Sequence, residues 1–342
     1  MKRIRKLPEV DELCTLYPIS EEEKKKRLCV LNELCDVLSG KLNKKIIIVG
    51  PCSADRDDAV LDYVCKMAEL KDKVKDRFVI VPRVYTSKPR TNGGGYKGMI
   101  HRPDASNDMD DLVAGLIAVR KLHQRVVKET GMYPADELLY PGLSPYLNDL
   151  LVYMAVGARS VEDQEHRFAA SGVDIPVGMK NPTSGSIDVM LNAIYAAQQP
   201  QRILLGEWEV QTEGNAYAHA ILRGYTNIAG ENVPNYYYEN LMRLHDAYYK
   251  RNLKKPAVIV DCNHSNSNKQ YLEQQRIAKD VFLSCKRNID IDRFVKGIMI
   301  ESYLEDGCQM VDEGIYGKSI TDPCLGWEKT ERLILELGDN IG

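Results

Sequence analysis

Residues 46–57 read IIIVGPCSADRD, a β-branched run that breaks at Gly50 and Pro51 into a polar segment. A doubly wound open sheet and a closed (β/α)8 barrel both alternate strand with helix. The open sheet, however, puts a glycine-rich dinucleotide or phosphate loop directly after its first strand. GPCSADRD contains neither GxGxxG nor GxxxxGK[ST], so the barrel is preferred.

Outward from this segment the same pattern recurs. RFVIVPRVY (77–85), DELLY (136–140), VGARS (156–160), PVGMK (176–180), AILRG (220–224), AVIVDC (257–262) and VKGIMIES (295–302) are short strand-like runs, and with IIIVG they make the eight that such a barrel requires. Between them, residues 57–74, 109–127, 186–199, 235–251 and 270–287 carry apolar side chains at three- and four-residue spacing, the signature of amphipathic helices. The stretch before residue 45 holds a charged helical segment, 21–40, expected to pack outside the barrel or against another subunit. Residues 1–44 are therefore read as an extension and 45–342 as one (β/α)8 TIM-barrel domain. RILLGEW (202–208) is taken as the start of the sixth strand unit, with a small β excursion at about 207–220.

Composition limits the function classes. The chain has 342 residues, 44% hydrophobic and 28% charged, with a net charge of −3, so no global field draws it to nucleic acid or to an anionic membrane. MKRIRKLPEVDELC has basic residues but no apolar run after them, which predicts neither secretory signal nor membrane anchor, and hence a cytoplasmic location. Nine cysteines without a CxxC pair fit reduced thiols. Cys14, Cys29, Cys35, Cys65, Cys285 and Cys308 are expected to be packing residues.

Four possible metal ligands sit at or after strand-like runs: Cys52, His264, Glu301 and Asp322. If the runs bearing the first three are barrel neighbours, their ends converge on one point. Thiolate, imidazole and carboxylates together suit one divalent Mn, Fe, Co or Zn ion better than a calcium or magnesium cage. Any one of them alone would more simply be a packing residue; their joint placement favours the metal.

Cations follow strands in the same way. Arg83, Lys88, Arg90 and Lys97 lie in RVYTSKPRTNGGGYKG with Thr91, and Arg159, Lys180 and Arg223 close later strands. The active face of a barrel of this type is built from such positions. Two anions held about 6 Å apart repel by roughly 3 kcal/mol per pair of unit charges at an effective dielectric near 20. Seven cations and a metal could hold two phosphorylated substrates side by side, and are more than one small anion needs.

GPCS, KPRT, GAR followed by QEHR, VGxKN, ILRG, DxxHxNSxKQ, ESxL and YGKSITDxCxGWE, in that order, closely resemble type I 3-deoxy-D-arabino-heptulosonate-7-phosphate (DAHP) synthase. The resemblance runs from the first strand to the C-terminus and points to the subfamily of feedback-regulated bacterial and fungal enzymes. It implies a TIM barrel that condenses phosphoenolpyruvate with erythrose 4-phosphate, the first step of the shikimate route to aromatic amino acids. By the same resemblance Cys52, His264, Glu301 and Asp322 are metal ligands. Arg83, Lys88, Arg159, Lys180 and Arg223, with the backbone of Gly157 and Ala158, bind phosphoenolpyruvate. Pro89, Arg90 and Thr91 hold erythrose 4-phosphate, with Lys97 close by. Lys88 and His264 are candidate acids, and Glu137 holds a water near the enol carbon. A homodimer or homotetramer is implied, with no nucleic-acid or membrane partner.

Some segments depart from that pattern. GGGYKG stands for the usual GWKG, and Pro182 follows Lys180 where glycine is common. The N-terminus, the LLYPGLSP loop (138–145) and the GEWEVQTEG excursion (206–214) are shorter than in relatives whose inhibitor pocket they form, so weak or altered feedback control is expected. The rival activities are 3-deoxy-D-manno-octulosonate-8-phosphate synthesis, which KPRT argues against, and a catalytically silent regulatory barrel. Cys324, two residues after Asp322, is expected to approach Cys52.

Overall fold

The computed structural model describes residues 1–90, 93–205 and 208–340. Eight parallel strands form its centre: β1 (Lys45–Gly50), β2 (Phe78–Pro82), β3 (Ala135–Glu137), β4 (Tyr153–Val156), β5 (Val177–Lys180), β8 (His219–Leu222), β11 (Val258–Asp261) and β12 (Val295–Glu301). They pair in the order β2-β1-β12-β11-β8-β5-β4-β3. A parallel bridge between Arg83 and Ala135 then joins β3 back to β2, with Val84 N–H donating to the Ala135 carbonyl at 2.9 Å. The ring is thus closed, as the eight strand-like runs predicted.

The strands are buried on both faces because core side chains fill the inside and helices cover the outside. This is why they read as unbroken apolar runs and not as alternations. The five predicted outer helices occur as Asp57–Val74, Leu112–Thr130, Ile187–Ala197, Tyr238–Lys250 and Glu273–Arg287.

The N-terminal extension packs on this same barrel. Its helix Glu21–Ser39 starts at a capping box on Ser20 and Glu23 and ends at Gly40 in a left-handed turn (φ 78°). Arg27 Nε donates to the Leu151 carbonyl at 2.8 Å and Tyr133 Oη to the Glu23 carbonyl at 2.6 Å. Those partners lie just before β4 and β3, so the helix crosses the N-terminal ends of these strands. Ahead of it, buried Arg120 donates to the Tyr17 carbonyl at 2.9 Å while pairing with Asp149.

Two expectations are corrected. Residues 202–205 are not the start of the sixth barrel strand: β6 (Arg202–Leu205) pairs antiparallel with β7 (Trp208–Gln211) in a separate hairpin. Leu204 and Trp208 are exposed on that hairpin, so burial does not draw it into the ring. A second small hairpin, β9 (Tyr225–Thr226) with β10 (Asn232–Val233), follows the sixth barrel strand. Cys29, Cys65 and Cys308 are exposed and do not pack. No helix among the described residues is long and apolar enough to cross a membrane.

Candidate functional site

All eight barrel strands deliver their C-terminal ends to one rim, and there a cavity of about 700 Å³ opens. Its lining includes Cys52, Arg83, Lys88, Pro89, Arg90, Glu137, Ala158, Arg159, Lys180, Arg223, His264 and Asp322, each anticipated from sequence. Gly157 lies beside it; a Cβ there would fall 2.7 Å from Glu137 Oε1, so any side chain at this position would push the Glu137 carboxylate aside. Thr91 is outside the described residues. Lys97 is not among the lining residues, because its Nζ lies 2.8 Å from Asp110.

The thiol and two carboxylates converge. One ligand atom from each of Cys52, Glu301 and Asp322 lies within 4.8 Å of the others. The strands β11, β12 and β1 are consecutive neighbours, so His264 arrives beside them, with Nε2 3.7 Å from Glu301 Oε1. Asp261 Oδ2 lies 2.8 Å from His264 Nδ1, close enough to pair by charge but not aligned as a hydrogen bond, while Nε2 is the ring nitrogen nearer Glu301. Asp322 does not come from a strand, as the GKSITD segment had suggested. It comes from the long loop after β12, which is folded back by bridges Ser302 to Leu325 and Gly307 to Cys324. In that loop Cys324 Sγ lies 3.4 Å from the Cys52 backbone nitrogen.

The donor set fits a thiophilic divalent ion. Glu301 is wholly buried, with Oε2 accepting from Asn263 at 2.6 Å while Oε1 has no well-aligned donor among the described residues. Arg83 Nη2, 2.8 Å from that oxygen, already offsets part of its charge, and a carboxylate so buried is costly unless cations face it. Burial pushes the Cys52 thiol up to about 11, and Glu301 adds to this. The thiolate therefore needs a cation to persist at neutral pH.

Lys88 supplies positive charge at the same point. Its Nζ is 2.7 Å from Cys52 Sγ and 3.0 Å from Asp322 Oδ2. Burial alone would lower this amine, but Cys52, Asp322 and Glu301 outweigh it and hold it above the ordinary lysine range. Asp322 is raised by burial yet held well below the usual carboxylate range by Lys88, His264 and Lys269. Arg83, 2% exposed, lies 2.8 Å from Glu301 and stacks 3.9 Å from the Tyr85 ring.

Further along the rim, Lys180 Nζ lies 4.0 Å from Glu137 and 3.9 Å from Asp261. Burial, and then the neighbouring Arg159, pull Arg223 below the usual arginine range, although Asp261 opposes them. Seven cations line the cavity against Glu137 and Asp322, with buried Glu301 and Asp261 behind Arg83 and Lys180, which still leaves the cations in excess. Such an excess is stable only where anions share it.

One lining cation was missed. Lys269 reaches Asp322 Oδ1 at 3.0 Å from a tight turn in which His264, Asn268 and Lys269 all have positive φ (50°, 52° and 58°). Backbone held in that region by ordinary residues marks functional sites. The polar cluster SNSNK carries the turn signal, but only the fold brings its lysine to the rim.

Comparisons with known proteins give the family. The chain matches the model of the DAHP synthetase I family over residues 17–335. It is 37% identical over 333 residues to phospho-2-dehydro-3-deoxyheptonate aldolase of Haemophilus influenzae, covering 95% of this chain and 89% of that protein. To the Tyr-sensitive and Phe-sensitive enzymes of that name from Escherichia coli it is 35% identical, covering 97% and 100% of this chain and 92% and 96% of theirs. The structure of the Francisella tularensis SCHU S4 aldolase superposes with a TM-score of 0.92 at 30% identity, covering 100% of this chain and 98% of that one.

Proposed function

Because the chain belongs to the DAHP synthetase I family, we propose that the rim cavity is where it condenses phosphoenolpyruvate with erythrose 4-phosphate. The products are 3-deoxy-D-arabino-heptulosonate 7-phosphate and phosphate. The observation that most supports this assignment is the meeting, in one cavity, of Cys52, His264 and Asp322 with Arg83, Lys88, Arg159, Lys180 and Arg223.

In this reading Cys52, His264, Glu301 and Asp322 hold one divalent Mn, Fe, Co or Zn ion. When bound, the metal supplies Lewis acidity and a template for the aldehyde. Arg83, Arg159, Lys180 and Arg223, with the backbone at Gly157 and Ala158, clamp phosphoenolpyruvate through its phosphate and carboxylate. Pro89, Arg90 and Thr91 seat the second sugar phosphate, so that the enol methylene faces its carbonyl carbon. Holding two reactants at attack distance removes about 7–11 kcal/mol of barrier.

As the carbon–carbon bond forms, charge grows on the aldehyde oxygen, and Lys88 donates a hydrogen bond and then a proton to it. His264, beside Asp261, is the second candidate acid. The enol carbon, now cationic, takes up a water held by Glu137, whose charge is steadied by Lys180. The hemiketal phosphate so formed releases phosphate, leaving the ketone. The proposal also takes residues 45–342 as one catalytic domain in a cytoplasmic homodimer or homotetramer.

The test is phosphate release from phosphoenolpyruvate with erythrose 4-phosphate or arabinose 5-phosphate, with and without chelator. Turnover with the four-carbon aldehyde, abolished by chelator, is expected. Preference for arabinose 5-phosphate, or no turnover with any added divalent metal, would overturn the assignment.

A further inference from the structure

The opposite end of the barrel carries a second concentration of positive charge that the reaction does not use. β1 and β12 run side by side, with Ile46 opposite Gly297, so Lys45 and Lys296 enter this end together. A cavity of about 500 Å³ opens beneath them, under the C-terminal turn of the helix Glu21–Ser39. Lys44, Lys45, Lys255, Arg293 and Lys296 line it against a single carboxylate, Asp292. A smaller adjoining cavity of about 340 Å³ adds Arg77 and Lys286.

Most of these cations have partners. Lys45 pairs with Asp292 at 2.9 Å and donates to the Val295 carbonyl at 2.8 Å. Lys44 pairs with Glu33 at 2.8 Å, and Lys255 lies 3.3 Å from the Tyr217 ring centre. Lys296 is different. It is 7% exposed, yet among the described residues its Nζ makes no hydrogen bond and no ion pair. Burial, and then the charge on Lys45, push its amine down to about 8. Asp292 opposes this shift only in part, and a partly desolvated ammonium beside another is retained at a cost that an anion in the cavity would reduce.

We propose that this cavity is a binding site for a small oxyanion of charge about −2, phosphate or a phosphorylated or dicarboxylic metabolite, with Lys296 as its buried anchor. Leu38, Leu42 and Pro256 give the cavity an apolar wall suited to a short carbon skeleton. The site lies at the end of the cylinder opposite the catalytic rim, so both can be filled at once.

The experiment uses the intact enzyme saturated with phosphoenolpyruvate and given no aldehyde, so that the catalytic cavity is occupied. Lysine acylation is followed by mass spectrometry with inorganic phosphate, with succinate, or with chloride at equal ionic strength. Phosphate or succinate should slow labelling of Lys296 at least fivefold while leaving the exposed Lys25 unchanged; which of the two protects assigns the anion class. In parallel, calorimetric titration of whichever of phosphate or succinate protects should report a site in the native enzyme that Lys296→Met lacks, with kcat preserved. Equal labelling of Lys296 in all three solutions, or the same heat from the protecting anion in both proteins, would overturn the proposal.

Discussion

The ammonium of Lys88 stands 2.7 Å from the thiol of Cys52, so a cation already occupies the point on which the proposed metal ligands converge. Lys88 and a bound ion must share the Cys52 and Asp322 charge, with the lysine shifting toward the aldehyde oxygen. Lys88→Met is therefore expected to lose about two to four orders of magnitude in kcat, the range for a positioned proton donor, while still binding the metal. Loss of metal binding with kcat per bound metal unchanged would contradict the proton-donor role.

The clamp on phosphoenolpyruvate depends on fork geometry and not only on charge. Arg223→Lys keeps the charge but gives up paired donors. It should raise KM for phosphoenolpyruvate by about tenfold or more while changing KM for erythrose 4-phosphate little. Steady-state kinetics with each substrate varied in turn would separate the two, and equal rises in both would argue against this assignment.

Asp55 offers a test of stability against pH away from the ligands. Burial raises its carboxyl to about 6, although Tyr303 Oη donates to it at 2.9 Å and opposes the shift. A carboxyl raised in the folded state binds its proton more tightly there than in the unfolded chain. Its contribution is thus most favourable below the unfolded value and declines as pH rises through about 6. Asp55→Asn keeps an acceptor for Tyr303 and should stabilise the protein by on the order of 3 kcal/mol above pH 7, with about half remaining at pH 5. Denaturant unfolding at both pH values would check this; a gain independent of pH would refute it.

The inhibitor question can be put to a second cavity. About 470 Å³ opens between Pro141, Ser144 and Phe168 on one side and Val210 of the β6–β7 hairpin on the other, where residues 141–148 meet residues 210–214. If both segments are shorter than in feedback-regulated relatives, as the sequence reading expects, phenylalanine, tyrosine and tryptophan should each inhibit weakly. Strong inhibition by any one in the phosphate-release assay would refute the expectation.

The rim was legible because most barrel strands are short apolar runs that stop at a chemically distinct residue: Cys52 just past β1, Arg83 past β2, Lys180 ending β5, Glu301 ending β12. Closure turns those stops into one ring. What sequence concealed depends on loops without periodicity. Asp322 is named from the sequence, but its route to the cluster, the bridge-folded loop after β12, is not; Lys269 arrives through left-handed turns, and Lys97 is held away by Asp110. RILL has the apolar character of a barrel strand, which is why sequence assigns it to the ring, but its partner is the antiparallel strand Trp208–Gln211. Lys296 reads as one charge at the start of VKGIMIES; only packing under Gly40 reveals its burial.

The central claim is that residues from both halves of the chain close around one ion beside the anion pocket. Cobalt(II) loaded into the metal-stripped enzyme reads this directly through the thiolate-to-cobalt charge-transfer absorption. The band should appear at one cobalt per chain alongside restored turnover, vanish in Cys52→Ser, and weaken in His264→Ala and Asp322→Asn. An active cobalt enzyme with no such band, or a band unchanged by Cys52→Ser, would contradict it.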